Sequence, residues 1–308
     1  MTAVLPLDRL TVGIVQMSMV ADPTVNLARA LEFISDAAEK GAQLICLPEL
    51  FSWQYFCQTK DFENFSLAEP IPGPTTQALE ALALERKVTL VTSIFEHQKP
   101  DAYYNTAVVI DRKNGYLGKY RKMHIPDEPG YFEKFYFTPG DLGFKSFSTD
   151  VGECGVMVCW DQWYPEAARL TALNGAQILI FPTAIGWHPE EKDLLGARQH
   201  EAWELVQRAH GITNGCFVVA ANRVGFEKHP DKGVGIEFWG QAFVSAPDGR
   251  VLGRASVAEE EVFIVELNMN ELLEFRLNWP FFRDRRTDAY EDITNQFLSK
   301  ESVPPRIE

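Results

Sequence analysis

Residues 153–182 read E-C-G-V-M-V-C-W-D-Q-W-Y-P-E-A-A-R-L-T-A-L-N-G-A-Q-I-L-I-F-P, and this stretch decides the fold. Residues 153–161 are mostly apolar and predict a buried strand. A helix from Pro165 to Asn174 follows, and residues 176–182 predict a second apolar strand. Strands that alternate with amphipathic helices are typical of a layered α/β structure in which helices cover the sheets.

The same alternation extends in both directions from this stretch. Residues 10–17 predict a buried strand, and Asp22-Pro23 begins a helix that ends at Gly41. Residues 42–50 predict the next strand, which Pro48 terminates. Further strands are predicted at residues 88–96, 103–111, 116–122, 216–222, 240–249 and 261–268, and further helices at about 75–87, over about twenty residues that end at Asn214, and at 269–276.

The chain shows no sign of a division into several domains. It contains no Pro/Ser-rich linker, internal repeat or low-complexity run. We therefore predict one domain, residues 1–278, followed by a C-terminal extension, residues 279–308. Because the extension carries Phe281 and Phe282 beside the charged run 283–286, we expect it to pack on the body or on a neighbouring subunit.

Composition excludes several classes of protein. The 308 residues are 46% apolar, but no run approaches the roughly 18–20 apolar residues of a membrane span. The N-terminus lacks the features of a signal peptide, so a soluble cytoplasmic protein is expected. A net charge of −14 disfavours nucleic acid and anionic membranes as partners. The five cysteines form no C-x-x-C pair, so neither disulfides nor a zinc site is predicted. They are Cys46, Cys57, Cys154, Cys159 and Cys216.

Three residues with catalytic potential each stand where a predicted strand ends. Glu49 follows Pro48, Lys122 precedes a proline-bounded turn, and Cys159 ends a wholly apolar strand. Each residue alone has an ordinary structural explanation. Together they supply a thiol nucleophile, a carboxylate base and a cation for the oxyanion that forms at an attacked amide carbonyl.

The segments P-E-L-F, Y-R-K-x-H-I-P and V-C-W-D-Q-W-Y-P-E-A-A-R resemble the signatures of the nitrilase superfamily in order and approximate spacing. The resemblance implies a four-layer αββα sandwich that pairs into an extended αββα-αββα dimer, with no metal and no organic cofactor. It also implies Glu49 as general base, Lys122 as oxyanion stabiliser and Cys159 as nucleophile, with the backbone N–H of Trp160 completing the oxyanion hole.

The family resemblance implies a second glutamate shortly after the lysine. Glu128 and Glu133 compete for this position, and we favour Glu133 because it lies in an aromatic segment just ahead of the turn at Pro139-Gly140. His124 could be mistaken for the base of a Cys-His pair. A packing or supporting role is expected for it instead, because the family uses glutamate as base.

Within the family, the segment around Cys159 and the T-A-I-G that follows Pro182 are most similar to members that hydrolyse N-carbamoylputrescine, a step of polyamine biosynthesis. Trp187 and His188 depart from that pattern. A small-molecule substrate with an ammonium tail would need a carboxylate or an aromatic face. The candidates, between which the sequence does not choose, are Trp53, Tyr55, Trp187 and Glu190.

Other activities stay open at this point. A β-ureidopropionase-like hydrolase of N-carbamoyl amino acids would need an arginine at the pocket, for which Arg169 and Arg198 are candidates. A plain aliphatic amidase is a further alternative. A catalytically silent binding subunit would be expected to have lost one of the three catalytic positions, and all three are present.

The resemblance also implies a homodimer or a higher homo-oligomer.

Overall fold

The computed structural model describes residues 7–231 and 233–298 of the chain. Its α-helices are α1 (Pro23–Glu39), α2 (Pro74–Arg86), α3 (Glu133–Tyr136), α4 (Pro165–Leu173), α5 (Pro189–Asn214) and α6 (Met269–Asn278). Its strands are β1 (Arg9–Gln16), β2 (Leu44–Cys46), β3 (Thr89–Lys99), β4 (Ala102–Asp111), β5 (Gly115–Arg121), β6 (Ser146–Thr149), β7 (Gly152–Val156), β8 (Ile178–Thr183), β9 (Gly186–Trp187), β10 (Phe217–Asn222), β11 (Val224–Lys228), β12 (Gly235–Trp239), β13 (Phe243–Ser245), β14 (Val251–Arg254) and β15 (Glu261–Asn268). Short 3-10 helices lie at Phe56–Gln58, Phe62–Leu67, Cys159–Trp163, Thr287–Ala289 and Glu291–Thr294.

Two six-stranded sheets form the centre of the molecule. Their strand orders are β15-β1-β2-β3-β4-β5 and β14-β13-β10-β8-β7-β6, and a smaller sheet has the order β11-β12-β9. In the first sheet β1, β2 and β3 are parallel, and in the second β7, β8 and β10 are parallel. Antiparallel strands complete both sheets. The predicted α/β class is confirmed.

Helix α1 shows how sequence pattern produces the outer layer. The Asp22 side chain accepts a hydrogen bond of 2.8 Å from the Thr24 N–H and so satisfies a free donor of the first turn. Ala30, Ile34 and Ala37 recur at helical spacing and are fully buried. They pack with α2 against one face of the first sheet. Full burial of a side chain as large as that of Ile34 stabilises the fold by roughly 1.5–3 kcal/mol.

The other face of the first sheet packs on the second sheet. Strand β1 contacts β10 and strand β3 contacts β8, and one apolar core contains residues of both sheets. Helices α4 and α5 contact the second sheet through β7, β8 and β10. The elements therefore lie in the order helix, sheet, sheet, helix. This arrangement brings the ends of β2, β5, β7 and β8 together on one side of the molecule, where the candidate site lies.

Several element boundaries differ from the prediction. The strand predicted over 153–161 ends at Val156, because the Val158 N–H donates to the Asp161 carboxylate at 3.0 Å and a 3-10 turn follows. The strand predicted over 42–50 is confined to Leu44–Cys46. The segment 240–249 contains strand only at Phe243–Ser245. Five strands of the described residues were not predicted: β6, β9, β11, β12 and β14.

The described part of the C-terminal extension contacts the body at aromatic residues. The Trp279 ring stacks on Phe275 with a centroid distance of 6.0 Å. Phe282 packs against the core between the sheets, and the Arg169 guanidinium lies 5.0 Å from its ring centroid. Residues 299–308 lie outside the described residues, and the division at residue 278 stays a prediction. Within residues 7–231 and 233–298, no helix has the length and apolar character that crossing a membrane requires.

Candidate active site

Glu49 lies after β2 on a loop that hydrogen bonds hold in place. Its N–H donates to the carbonyl of Thr183 at 3.2 Å, which ties this loop to the second sheet. The N–H of the next residue, Leu50, donates to Ser93 Oγ at 2.9 Å. Leu50 has a φ of 50°, a left-handed conformation that side chains other than glycine rarely adopt. Backbone of this kind is typical of functional sites whose surroundings fix one conformation.

Lys122 follows β5 and places its ammonium group between two carboxylates. Its Nζ is 2.9 Å from Glu49 Oε1 and 2.6 Å from Glu133 Oε2, and its side chain is 0% exposed. Burial alone would lower the pKa of Lys122, but the Glu133 and Glu49 carboxylates outweigh burial and raise that pKa well above its usual value. The lysine is therefore protonated at neutral pH and can donate hydrogen bonds.

Glu133 begins α3 and is held from two sides. Its Oε1 accepts a 2.6 Å hydrogen bond from the Tyr55 hydroxyl, and its Oε2 faces Lys122. Burial raises the pKa of Glu133 to about 7, although Lys122 lowers it, and the Glu49 carboxylate adds to the rise. Of the two acids that competed for this position, Glu133 contacts the lysine, whereas Glu128 lines the cavity described below.

Cys159 begins the 3-10 turn and has a φ of 40°. Its Sγ is 3.8 Å from the carbonyl oxygen of Ala184. Burial is the main reason that the pKa of the Cys159 thiol is raised well above its usual value. The Glu49 carboxylate adds to the rise, and the Lys122 ammonium opposes it. The resting thiol is therefore neutral and needs a base before it can attack. Among the described residues, Glu49 Oε2 has no hydrogen-bond donor, so this oxygen is available to accept the thiol proton.

Asp161 joins the turn of the cysteine to the segment that follows the lysine, and no motif in the sequence predicted this role. Its Oδ2 accepts hydrogen bonds from the Val158 N–H at 3.0 Å and the Tyr120 hydroxyl at 2.7 Å. Its Oδ1 accepts from the His124 N–H at 3.0 Å and lies 2.7 Å from the ring Nδ1. The His124 ring stacks on Tyr164, with centroids 3.7 Å apart and planes 5° apart.

Arg223 supports the loop of Glu49 and was also missed. Its Nη2 donates to the carbonyl oxygens of Glu49 at 2.7 Å and Leu50 at 3.1 Å, and its Nη1 donates to Glu227 Oε1 at 2.7 Å. Glu227 in turn accepts a hydrogen bond from the N–H of Tyr55. The signal in the sequence was an arginine directly after an apolar strand. Its partners in the loop of Glu49, however, lie about 170 residues earlier in the chain.

A cavity of about 400 Å³ opens beside Cys159 and Glu133. Its lining is mostly apolar and aromatic, with carboxylates at three positions and, among the described lining residues, no lysine or arginine. These residues are Pro126, Glu128, Pro129, Tyr131, Glu133, Cys159, Trp160, Trp163, Ala184, Ile185, Gly186, His188, Glu191, Gln199, Ala202 and Trp239.

The four residues suggested for the substrate tail are absent from this described lining. Trp53 and Tyr55 line other cavities, and the Tyr55 hydroxyl is engaged by Glu133. The Trp187 ring is buried, and its indole N–H donates to a backbone carbonyl of α5 at 3.0 Å. Glu190 is exposed, whereas its neighbour Glu191 lines the cavity. Adjacent residues of a helix point about 100° apart, which separates these two acids.

The arginines that a carboxylate-tailed substrate would need lie elsewhere. The Arg169 guanidinium packs over Phe282, and Arg198 is exposed on α5; neither is among the described residues that line the cavity. Within residues 7–231 and 233–298, no group of three or more His, Cys, Asp or Glu side chains is arranged to hold a metal ion. Catalysis without a metal stays a prediction.

Comparisons with known proteins identify the family of the chain. The sequence profile described as "Carbon-nitrogen hydrolase" matches residues 11–277. An N-carbamoylputrescine amidase of Solanum lycopersicum is 42% identical over 91% of this chain and 93% of its own. A citrullinase of Francisella tularensis is 37% identical over 93% of this chain and 98% of its own. The crystal structure of a carbon-nitrogen hydrolase from Helicobacter pylori G27 matches with a TM-score of 0.91 and 42% identity, covering 94% of this chain and 100% of that one. The predicted family is confirmed: the chain belongs to the carbon-nitrogen hydrolases of the nitrilase superfamily and is an amidohydrolase.

Proposed function

We propose that the protein hydrolyses N-carbamoylputrescine to putrescine, carbon dioxide and ammonia, a step of polyamine biosynthesis. Relatives named for this substrate align with nearly the whole chain at about 41–42% identity. The relative named citrullinase points to the same chemistry, because citrulline also carries a carbamoyl group on a nitrogen atom.

The charge of the cavity is the observation that carries this proposal. Of the three carboxylates that line it, that of Glu133 is paired with Lys122, which leaves the negative charges of Glu128 and Glu191, and the described lining contains no lysine or arginine. A substrate with an ammonium tail gains from this field, whereas the carboxylate tail of an N-carbamoyl amino acid is repelled by it. The charge therefore favours a cationic carbamoyl substrate over the β-ureidopropionase alternative. The uncharged substrate of an aliphatic amidase would form no ion pair with Glu128 or Glu191.

In the first step, Cys159 Sγ attacks the carbamoyl carbon and passes its proton to Glu49. Lys122 and the N–H of Trp160 stabilise the oxyanion, because both are donors beside the nucleophile. The tetrahedral intermediate then collapses, the carbon–nitrogen bond breaks, and Glu49 protonates the departing amine. A carbamoyl thioester on Cys159 and free putrescine result.

In the second step, water attacks the carbamoyl thioester while Glu49 accepts one of its protons. The thiol is regenerated when Glu49 returns that proton to the departing sulfur. The released carbamic acid decomposes to carbon dioxide and ammonia. Glu133 keeps Lys122 in place through both steps, since Lys122 Nζ lies 2.6 Å from Glu133 Oε2.

We also propose that the protein forms a homodimer through α4 and α5. Leu170 and Leu173 on α4 are 44% and 45% exposed, and Leu205 on α5 is 61% exposed. Apolar side chains grouped on neighbouring helices are typical of subunit interfaces. Sedimentation velocity should give a mass of at least twice the chain mass, and a purely monomeric species would contradict this proposal. The cytoplasmic location stays a prediction.

The substrate proposal is tested by ammonia release from N-carbamoylputrescine, N-carbamoyl-β-alanine, simple amides and nitriles. We expect kcat/KM for N-carbamoylputrescine to exceed that for N-carbamoyl-β-alanine at least about tenfold, or roughly 1.4 kcal/mol of transition-state binding. A preference for the carboxylate-tailed substrate would overturn the substrate and leave the hydrolase chemistry intact.

A further inference from the structure

We propose that Glu191, assisted by Glu128, binds the distal ammonium of the substrate, so that the site selects carbamoylated diamines over neutral N-alkylureas. This inference rests on the proposed function and assigns its substrate selectivity to two residues.

The cavity has a buried end and an open end. Cys159 and Glu133 are buried, whereas Glu128 and Glu191 are exposed and belong to different segments, the loop after β5 and the first turn of α5. A carbamoyl group that reaches Cys159 therefore leaves the remainder of the substrate directed toward the exposed acids. Both oxygens of Glu133 are occupied, by Tyr55 and Lys122, so Glu133 is unsuited to bind the tail.

The Glu191 carboxylate is oriented by its surroundings. Gln199, which also lines the cavity, donates a 3.2 Å hydrogen bond from Nε2 to Glu191 Oε2. Among the described residues, no donor is bonded to the other carboxylate oxygen, so this oxygen is available to a ligand. The nearest cation on the same turn, Lys192, is 2.7 Å from Glu237 and lies over the Trp187 ring at 4.9 Å. Lys192 therefore does not neutralise Glu191.

Aromatic side chains line the path between the two ends. Trp163, Trp239 and Tyr131 contribute to the lining. Their faces suit the methylene groups of an aliphatic diamine and can add cation–π attraction to its ammonium. A neutral alkyl tail would gain the apolar contacts and would leave the two carboxylates without a counter-ion.

The test compares N-carbamoylputrescine with N-pentylurea, in which a methyl group replaces the ammonium. In Glu191→Gln, we expect kcat/KM for N-carbamoylputrescine to fall about fivefold, mainly through KM, because one rim charge is lost. For N-pentylurea the value should change less than about twofold. In the double variant that adds Glu128→Gln, the loss on the cationic substrate should reach about tenfold or more.

Glu190→Gln is the matched control. It removes the same charge from the adjacent exposed residue, which is not among the described lining residues, so it should leave the ratio of the two substrates unchanged. Equal losses on both substrates in Glu191→Gln, or an effect of Glu190→Gln as large as that of Glu191→Gln, would overturn the inference. If the wild type prefers N-carbamoyl-β-alanine to N-carbamoylputrescine, the proposed function fails, and the tail site fails with it. If the wild type prefers N-carbamoylputrescine and Glu191→Gln keeps the wild-type ratio, only the tail site fails.

Discussion

The two ends of the cavity differ in how their polar groups are held. At the buried end, Glu49, Lys122 and Glu133 form direct contacts of 2.6–2.9 Å with 0–1% of each side chain exposed. At the open end, Glu128 and Glu191 are exposed, and Glu191 is braced by one hydrogen bond. The buried end is thus preorganised for one chemistry, whereas the open end can change its preferred tail through single surface substitutions.

Loss of the nucleophile should have the largest effect. Cys159→Ala removes the attacking sulfur and should reduce kcat at least about a thousandfold, while the melting temperature stays within a few degrees of the wild type. Steady-state kinetics and circular dichroism measure the two quantities. The same change at Cys46, Cys57, Cys154 or Cys216 should leave substantial activity. Near-normal turnover by Cys159→Ala would refute the mechanism.

Asp161→Asn tests whether the buried end depends on its supporting carboxylate. The amide group cannot accept at both positions, so donors of Val158, Tyr120 or His124 would be left unpaired. We expect a loss of about 3 kcal/mol in the free energy of unfolding and a fall in kcat of at least about tenfold. Urea denaturation and kinetics below the transition separate the two effects. A variant with the wild-type free energy of unfolding and the wild-type kcat would show that Asp161 supports neither the fold nor the site.

The pH profile tests the state of Glu133. Since its pKa is raised to about 7, protonation on the acidic side should weaken its hold on Lys122, and kcat/KM should fall as the pH falls through about 7. The Tyr55 hydrogen bond lowers the pKa of Glu133, so Tyr55→Phe should move this acidic limb to higher pH. Activity of the variant should approach that of the wild type at about pH 9. An acidic limb that stays in place, with a loss independent of pH, would indicate a merely structural role for Tyr55.

Chelation should have the smallest effect. Exhaustive dialysis against EDTA is expected to leave kcat/KM unchanged, because the proposed steps use only a thiol, a carboxylate and an ammonium group. Inactivation that one particular metal ion reverses would place the chemistry in another class.

The same comparison explains which features the sequence could predict. Glu49, Lys122 and Cys159 each follow a strand that the local apolar pattern predicts, so their positions at strand ends could be anticipated, although these strands belong to two different sheets. Arg223 and Asp161 act through contacts distant in the chain, which no local pattern reports. The choice between Glu190 and Glu191 depends on the phase of α5, where a shift of one residue turns a side chain by about 100°. Strands β11 and β12 are short and flank a polar turn, so their antiparallel pairing is not evident from the apolar pattern of the sequence.

The enclosure of Lys122 also determines how the enzyme can be handled chemically. Amine-directed reagents attack exposed, neutral lysine side chains, and Lys122 is neither exposed nor readily deprotonated. Lys113, in contrast, has 63% of its side chain exposed. Coupling to an activated-ester resin would therefore attach the protein through surface lysines such as Lys113 and leave the oxyanion-stabilising amine untouched. The five cysteines are all buried, so immobilisation through amines suits this fold better than immobilisation through thiols.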